Sequence, residues 1–392
     1  MTLYRFRAEP LAPIHIGAGE EIDPTAFTLK DGRLLRFNAA RVLADMNDAE
    51  RKRIEGLLSG GAGRNAAEAF VQLKDTLARN VDPARHGAGW IDVGSAFAKS
   101  WAEVGSRADR QFRVQLMPRN AHSGLAYLPG SSLKGAIRTA VVSALSKGKS
   151  PPGKASYGPR ELYRFAKDME RELLCQFESD PFRLVDVEDA PLPDGATRID
   201  RAFNWNPQKP ASEGMQMWYE RIKSRADGAA AIFDVRLHID DKAMANERVR
   251  AGLHATLDFE TIAAACNTFY WRRLLAERKE FFMRPGNGAL RVETLLEPFT
   301  KATAEGKPAA SKPELPAMLL RIGRFSQFES LSADGVRVGH RPQQRNTDKE
   351  WIPDPEMGWT RNLCEVTPAV AGGPTRLPFG WLLLTLEGRS GA

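Results

Sequence analysis

Cysteine and histidine are scarce in this chain of 392 residues, which contains three cysteines and six histidines. The cysteines lie far apart and none belongs to a Cys-x-x-Cys pair, so the sequence supports neither a disulfide framework nor a zinc knuckle. Long apolar runs are also missing: no stretch approaches the ~20 apolar residues of a membrane-spanning helix, and the first residues show no signal-peptide pattern. We therefore expect a protein of the reducing cytoplasm that does not enter a membrane.

A strong excess of either charge is absent as well. The 56 Lys and Arg against 49 Asp and Glu give a net charge of +7 at pH 7, and the isoelectric point is near 9.3. This mild excess permits an anionic partner such as nucleic acid without requiring one. Hydrophobic residues make up 42% of the chain, as in globular proteins, and the length allows two lobes or one domain with large insertions.

The most informative stretch is residues 127–145, YLPGSSLKGAIRTAVVSAL. It predicts a short strand, a turn at Pro129 and Gly130, and a helix for which Ser131 would supply the N-cap. We call residues 129–132 the second bend. The apolar side chains recur every four residues and predict one buried stripe, formed by Leu133, Ile137, Val141 and Leu145.

The polar residues of this helix start have the chemistry of a phosphate site. Lys134 and Arg138 lie four residues apart on another face, and Lys134 occupies the first turn, where the helix dipole disfavours a cation. Together with backbone N–H groups and the hydroxyls of Ser131 and Ser132, they would bind a nucleic-acid backbone without reading its bases. Alternatively, the two cations only solvate an outer helix face. An NTPase phosphate loop is excluded, because that motif needs Lys directly after its second Gly, whereas Lys134 precedes Gly135.

Two further stretches resemble this one in having glycine beside polar or basic residues. Residues 3–8 alternate as a half-buried strand does and lead into residues 14–19, the first bend, where Gly17 and Gly19 follow His15. His15 is interpreted as a hydrogen-bonded structural histidine or as an RNA contact rather than as a catalytic group. Near the end, a strand over residues 316–325 breaks at Gly323, which Arg324 follows; residues 322–326 are the third bend.

The remaining patterns predict the strands and turns that surround these bends. Residues 26–30 and 33–37, joined by an Asp-Gly pair, predict a hairpin, and LPFGWLLLTLEG at residues 377–388 predicts a central strand. The acidic residues of the strand-like stretch 180–190 are interpreted as a solvated strand end rather than as a metal site: Asp186, Glu188 and Asp189. We expect no metal and no cofactor.

Three motifs in this order, PLAPIHIGAG, LPGSSLKGAIR, and IGRF followed by PFGW, resemble the RAMP superfamily of CRISPR effector proteins. Within it the sequence is most similar to the fifth Csm subunit family, the RAMP proteins that cap the crRNA 3′ end in type III-A complexes. The long separation between the first two motifs favours this capping family over the filament subunits.

The resemblance implies an α+β fold with a ferredoxin-like, RRM-related RAMP core, an antiparallel sheet and large helical insertions. We expect the core in residues 1–37, 125–200 and 317–392, an insertion in residues 38–124, and a helix-rich insertion or second lobe in residues 201–316. The predicted partners are crRNA, other RAMP subunits of the Csm complex and, indirectly, target RNA.

Carried over residue by residue, the resemblance places RNA contacts on His15, Gly17, Gly19, Ser131, Ser132, Lys134, Arg138, Gly323 and Arg324. The implied function is a non-catalytic crRNA-binding subunit that caps the backbone filament and supports crRNA maturation and antiviral defence. Two alternatives stay open: a RAMP endoribonuclease that would use His15 or Asp23, and a protein-interaction scaffold with incidental RNA affinity. Asp23 is interpreted as a turn residue.

Overall fold

The structure is a computed structural model. It describes residues 1–391 except for 61–65, 105–111, 152–157, 175–178, 208–212, 248, 250–254, 284–292, 303–307, 342–349 and 367–374. Within those limits, no helix combines the length and apolar character needed to cross a membrane.

The strands, in chain order, are β1 Thr2–Pro10, β2 Glu21–Ile22, β3 Phe27–Lys30, β4 Arg33–Phe37, β5 Gly87–Val93, β6 Val114–Gln115, β7 Tyr127–Leu128, β8 Val185–Val187, β9 Ala190–Pro191, β10 Thr197–Trp205, β11 Glu213–Ile222, β12 Phe233–Ile239, β13 Thr300–Ala302, β14 Pro308–Ala310, β15 Ala317–Arg321, β16 Val338–Arg341, β17 Glu350–Pro353, β18 Arg361–Val366, β19 Thr375–Pro378 and β20 Trp381–Gly391. The α-helices are α1 Ala39–Asp45, α2 Asp48–Gly60, α3 Ala66–Asn80, α4 Pro83–His86, α5 Ser95–Val104, α6 Gly130–Ser146, α7 Pro159–Leu174, α8 Asp241–Ala245, α9 Phe259–Glu277, α10 Glu293–Leu296 and α11 Phe328–Leu331. Both element types are abundant, which confirms the predicted α+β class.

The first sheet is antiparallel, with the strand order β15-β20-β1-β12-β8. In β1 the alternation seen in the sequence is realised: Tyr4 and Phe6 are buried against Phe259 of α9, while Arg5 and Arg7 are exposed on the opposite face. Helix α6 packs on α9 and on this sheet. The strands and helices of this unit occur along the chain in the order β-α-β-β-α-β, with other elements between them. They are β1, α6, β8, β12, α9 and β20.

The second sheet is mixed, with the path β2-β6-β11-β10-β5-β4-β3, and β18 and β19 extend it from β10. The hairpin predicted around the Asp-Gly pair is present as β3 and β4. Asp31 and Gly32 have φ angles of 52° and 73°, the positive values that a two-residue hairpin turn favours.

The structure corrects the expected division of the chain. The expected boundary after residue 200 falls inside β10, and residues 201–316 contain β12, which pairs with β1 in the first sheet, and α9, which covers that sheet. These stretches belong to the core because their apolar faces complete it. In residues 38–124, β5 pairs with β4 and β10, so part of that segment belongs to the second sheet.

Helix α6 begins at Gly130 rather than after a serine cap. Its N-cap is Pro129, which has no capping side chain, and the backbone N–H of Gly130 donates instead to Asp189 Oδ1 at 2.8 Å. The predicted capping role of Ser131 is therefore wrong, because the carboxylate of Asp189, from a distant strand end, caps the helix instead. Leu133, Ile137 and Val141 of the predicted stripe are buried.

Alanine substitutions at the two glycines of α6 should change stability in opposite directions. A Cβ on Gly130 would lie 2.0 Å from the carbonyl O of Val187, so the helix start and the strand would have to move apart. A Cβ on Gly135 meets nothing within 4 Å. We expect Gly130→Ala to lower the free energy of unfolding by about 1–3 kcal/mol. Gly135→Ala should raise it by about 0.5–1 kcal/mol through lower chain entropy. Urea unfolding of both variants checks this, and a change of the same sign in both would contradict the close packing at Gly130.

Candidate nucleic-acid interface

The first and third bends are joined by their backbones. The N–H of Arg324 donates to the carbonyl O of His15 at 3.0 Å. Gly323, between β15 and this contact, has a φ of +94°, and a Cβ there would lie 2.5 Å from the same carbonyl O. Glycine is required at this position for both reasons, because other residues rarely adopt that φ and would displace the first bend.

Gly380 of the Pro-Phe-Gly-Trp motif completes the connection. Its N–H donates to Pro13 O at 2.8 Å, and its carbonyl O accepts from the N–H of Ile322 at 2.9 Å. The φ of Gly380 is +101°, and a Cβ would lie 2.6 Å from Ile322 O. The Pro-Phe-Gly-Trp motif therefore joins the third bend to the residue before the first bend.

A buried charged cluster lies behind the third bend, and no sequence pattern indicates that its members meet. Its members are Arg321, Arg361, Glu277 and Glu329, each at most 1% exposed. Glu277 accepts hydrogen bonds from Arg321 at 2.8 Å and from Trp381 Nε1 at 3.0 Å, and it forms an ion pair with Arg361 at 2.9 Å. Because Arg361 opens β18 and Arg321 ends β15, the cluster connects the second sheet to the first.

The three bends border one cleft of about 360 Å³. Its lining includes Ile16 of the first bend, Ser131, Ser132 and Gly135 of α6, and Gly323 and Arg324 of the third bend. Residues that are about 300 positions apart in the sequence thus share one surface. The serine hydroxyls and the guanidinium give this surface hydrogen-bond donors and a positive charge, which suit an anion.

His15 lies beneath this surface. It is 1% exposed, its Nδ1 is 2.6 Å from Glu220 O, and its ring meets the Tyr219 ring edge-on with centroids 4.8 Å apart. Burial lowers the pKa of His15 from 6.5 to about 4, the hydrogen bond to Glu220 opposes this shift, and the charge of Arg324 adds to it. The imidazole is therefore neutral at neutral pH.

The cations differ in their availability to a ligand. Arg324 is exposed, with its guanidinium 5.9 Å from the Tyr219 ring centre, and Lys134 is half-buried outside the cleft lining; neither forms an ion pair with a described residue. Arg138 instead contacts Glu170 at 2.8 Å and Asp180 at 2.7 Å. The expectation that Arg138 awaits an external anion is wrong, because two carboxylates from other segments already neutralise it.

The other predicted residues have simpler surroundings. Gly17 is exposed beside the Arg324 side chain, and Gly19 is exposed with a φ of +74°. The carboxylate of Asp23 accepts from the N–H and the hydroxyl of Thr25, at 2.8 and 2.6 Å, so Asp23 is a turn residue as expected.

At the acidic strand end, Glu188 pairs with His238 at 2.6 Å. In the described part of the chain, no three His, Cys, Asp or Glu side chains are grouped to hold a metal ion.

Comparison with known families and proteins assigns the chain to a class. Residues 7–271 match the model of the RAMP superfamily. Since this is more than half of the sequence, the chain belongs to the RAMP superfamily, and the resemblance of its motifs is confirmed.

Two curated relatives show which RAMP proteins the chain resembles. The chain is 22% identical over 273 residues to the CRISPR system Cms protein Csm5 of Methanocaldococcus jannaschii, and 24% identical over 172 residues to the Csm5 protein of Mycobacterium tuberculosis. These matches cover 67% and 42% of this chain. They span 60% and 45% of the relatives' own lengths, less than two thirds of either. The chain is thus a Csm5-like RAMP protein.

Solved structures share its fold. A chain of the cryo-EM structure of a Csm–crRNA–target RNA ternary complex in a type III-A CRISPR–Cas system aligns with a TM-score of 0.63 and 18% identity, covering 99% of this chain and 100% of that one. The crystal structure of T. onnurineus Csm5 aligns with a TM-score of 0.54 and 15% identity, covering 96% and 99%.

The buried, neutral His15 gives the fold a pH dependence with a defined sign. The unfolded chain takes up a proton at His15 below pH 6.5, whereas the folded chain does so only near pH 4. The free energy of unfolding should therefore fall as pH falls through this window, by up to about 1.4 kcal/mol per pH unit, and His15 contributes no pH dependence above it.

His15→Asn removes the titrating group, so its stability should fall less than that of the wild type between about pH 7 and about pH 5. Urea unfolding of both proteins at each pH measures the difference. Parallel pH profiles would show that His15 is not held neutral by burial.

Proposed function

We propose that the chain is a non-catalytic crRNA-binding subunit of a type III-A Csm complex. Its membership of the RAMP superfamily and the name Csm5 of its curated relatives support this assignment. The observation that carries it is the meeting of the three bends at one cleft, whose lining includes the exposed Arg324. Such a surface suits a ribose-phosphate strand.

The β-α-β-β-α-β unit is, in this proposal, the ferredoxin-like, RRM-related core of a RAMP protein. The strand order β20-β1-β12-β8, with α6 and α9 packed on the sheet, supports this reading. β15 would then be an additional edge strand. Its role is to deliver Gly323 and Arg324 beside the first bend.

The contacts proposed for the RNA are mostly independent of base identity. Ser131 and Ser132 offer hydroxyls, and Arg324 and Lys134 offer positive charge. Gly17, Gly19 and Gly323 let the backbone come close to the strand. Contacts with phosphate and sugar suit a subunit that must accept guides of any sequence. Arg138 is left out of this set because its charge is already paired.

The finer assignment concerns position in the complex. We propose that the chain caps the backbone filament at the crRNA 3′ end, contacts other RAMP subunits, meets target RNA only indirectly, and works in the cytoplasm. The long segment between the first and second bends supports capping, since residues 38–124 add strands and helices where a filament subunit would have a short connection.

An endoribonuclease is the alternative that uses the same fold. It would need His15 or Asp23 as a reacting group. His15 is buried and its Nδ1 donates to Glu220 O, and Oδ1 of Asp23 accepts two hydrogen bonds from Thr25. These contacts favour structural and binding roles for both residues.

The proposal predicts how RNA affinity depends on salt. Each phosphate contact that is lost should lower the magnitude of the slope of log K against log salt by about 0.7 for a single strand. We expect Arg324→Gln and Lys134→Gln each to produce such a decrease, equally for RNAs of different sequence. Fluorescence anisotropy with single-stranded RNA over a range of salt concentrations measures the slopes.

Lys147→Gln is the matched control because Lys147 follows the other end of α6, about 20 Å from Lys134 along the helix. It changes the net charge by the same amount, and its slope should equal that of the wild type. Unchanged slopes for Arg324→Gln and Lys134→Gln, or an equal decrease for Lys147→Gln, would contradict the site. RNA-independent assembly without affinity for RNA would favour the scaffold alternative.

A further inference from the structure

One nitrogen of His15 has no hydrogen-bond partner among the residues that the structure describes. The other nitrogen, Nδ1, faces the carbonyl O of Glu220 at 2.6 Å, and since a carbonyl only accepts, Nδ1 carries the proton. In the neutral ring Nε2 is then an acceptor without a proton. Nε2 is buried and receives no donor. A buried acceptor without a donor is costly, so a ligand that supplies a donor there would be stabilised.

Nε2 lies next to the position that a side chain on Gly17 would occupy. A Cβ on Gly17 would lie 3.9 Å from His15 Nε2 and 3.6 Å from Arg324 Nη1, with no closer neighbour. Gly17 itself is exposed. A ligand at this point would therefore meet an acceptor on one side and a cationic donor on the other.

This pair of groups discriminates among anionic ligands. A phosphate oxygen accepts hydrogen bonds and would satisfy Arg324 but not Nε2. RNA supplies the missing donor, because each ribose carries a 2′-hydroxyl close to its 3′-phosphate, whereas DNA has the phosphate without the hydroxyl. Amino groups of bases are also donors, but their position changes with the base, and the cleft is otherwise lined for sequence-independent contact.

We propose that His15 Nε2 accepts a hydrogen bond from a ribose 2′-hydroxyl while Arg324 binds the neighbouring phosphate, so that the first and third bends together select RNA over DNA. The inference rests on the proposed RNA-binding function and assigns the chemical group that the first bend recognises. Arg324 is exposed and has no ion-pair partner among the described residues, so its guanidinium can turn towards the phosphate. His15 then reads the sugar, and the role of Gly17 is to leave room for it.

The test uses the full chain with a single-stranded RNA, the DNA of the same sequence, and RNAs that carry one 2′-deoxy nucleotide at successive positions. We expect RNA to bind more tightly than DNA. At one position the 2′-deoxy substitution should weaken binding about threefold to tenfold, the effect of one neutral hydrogen bond. This loss should be the same when the base at that position is changed.

Two variants separate the contact from the fold. His15→Asn keeps an amide donor for Glu220 O but lacks Nε2, so the sensitive position should become insensitive to 2′-deoxy substitution. Gly17→Ala places a methyl group beside Nε2 at distances that do not clash with the protein, and it should remove the same sensitivity. If His15→Asn does not fold, the result with Gly17→Ala decides.

The outcomes are distinguishable. Equal affinity for RNA and DNA in the wild type would overturn this inference while leaving the proposed RNA binding intact. A 2′-deoxy effect that persists in His15→Asn and in Gly17→Ala would also overturn it. Absence of any RNA binding would overturn the proposed function and this inference together.

Discussion

The hydrogen bonds between the backbones of the first and third bends are the constraint on which the candidate site depends. The N–H of Arg324 reaches the carbonyl of His15, and Gly380 bridges Pro13 and Ile322. Neither contact tolerates a side chain on its glycine, because a Cβ on Gly323 or Gly380 would press on a carbonyl oxygen at 2.5 or 2.6 Å. The glycines in these motifs are thus needed for contact between segments, not only for turning.

Behind this backbone contact, the buried charges make the third bend a rigid support. Glu277 receives hydrogen bonds from Arg321 and Trp381 and forms an ion pair with Arg361. Removing one member of such a cluster would leave a buried charge uncompensated, which costs about 3–5 kcal/mol in typical proteins. Arg324, in contrast, lies exposed at the surface of the site. An exposed cation on a well-supported backbone suits a strand that varies in sequence but not in backbone chemistry.

Local patterns predicted the local parts of this structure. The alternation of β1, the Asp-Gly hairpin and the helix after the second bend all follow from residues close together in sequence, and the motif order predicted the RAMP superfamily. The errors arose where a distant segment decides. Arg138 is neutralised by Asp180 and Glu170, and Asp189 caps α6 in place of Ser131. No spacing rule within the helix could reveal those partners. For the same reason, residues 201–316, expected to form a helix-rich insertion or second lobe, contain β12, which pairs with β1.

The central claim is that three bends far apart in the sequence contact one RNA strand together. Photocrosslinking tests it most directly: single-stranded RNA with 4-thiouridine at defined positions is bound to the full chain, irradiated, and the crosslinked peptides are identified by mass spectrometry. The account predicts that neighbouring nucleotides of one strand crosslink to peptides containing residues 14–19, 129–132 and 322–326. Crosslinks confined to the opposite face of the first sheet, around Arg5 and Arg7, would contradict it.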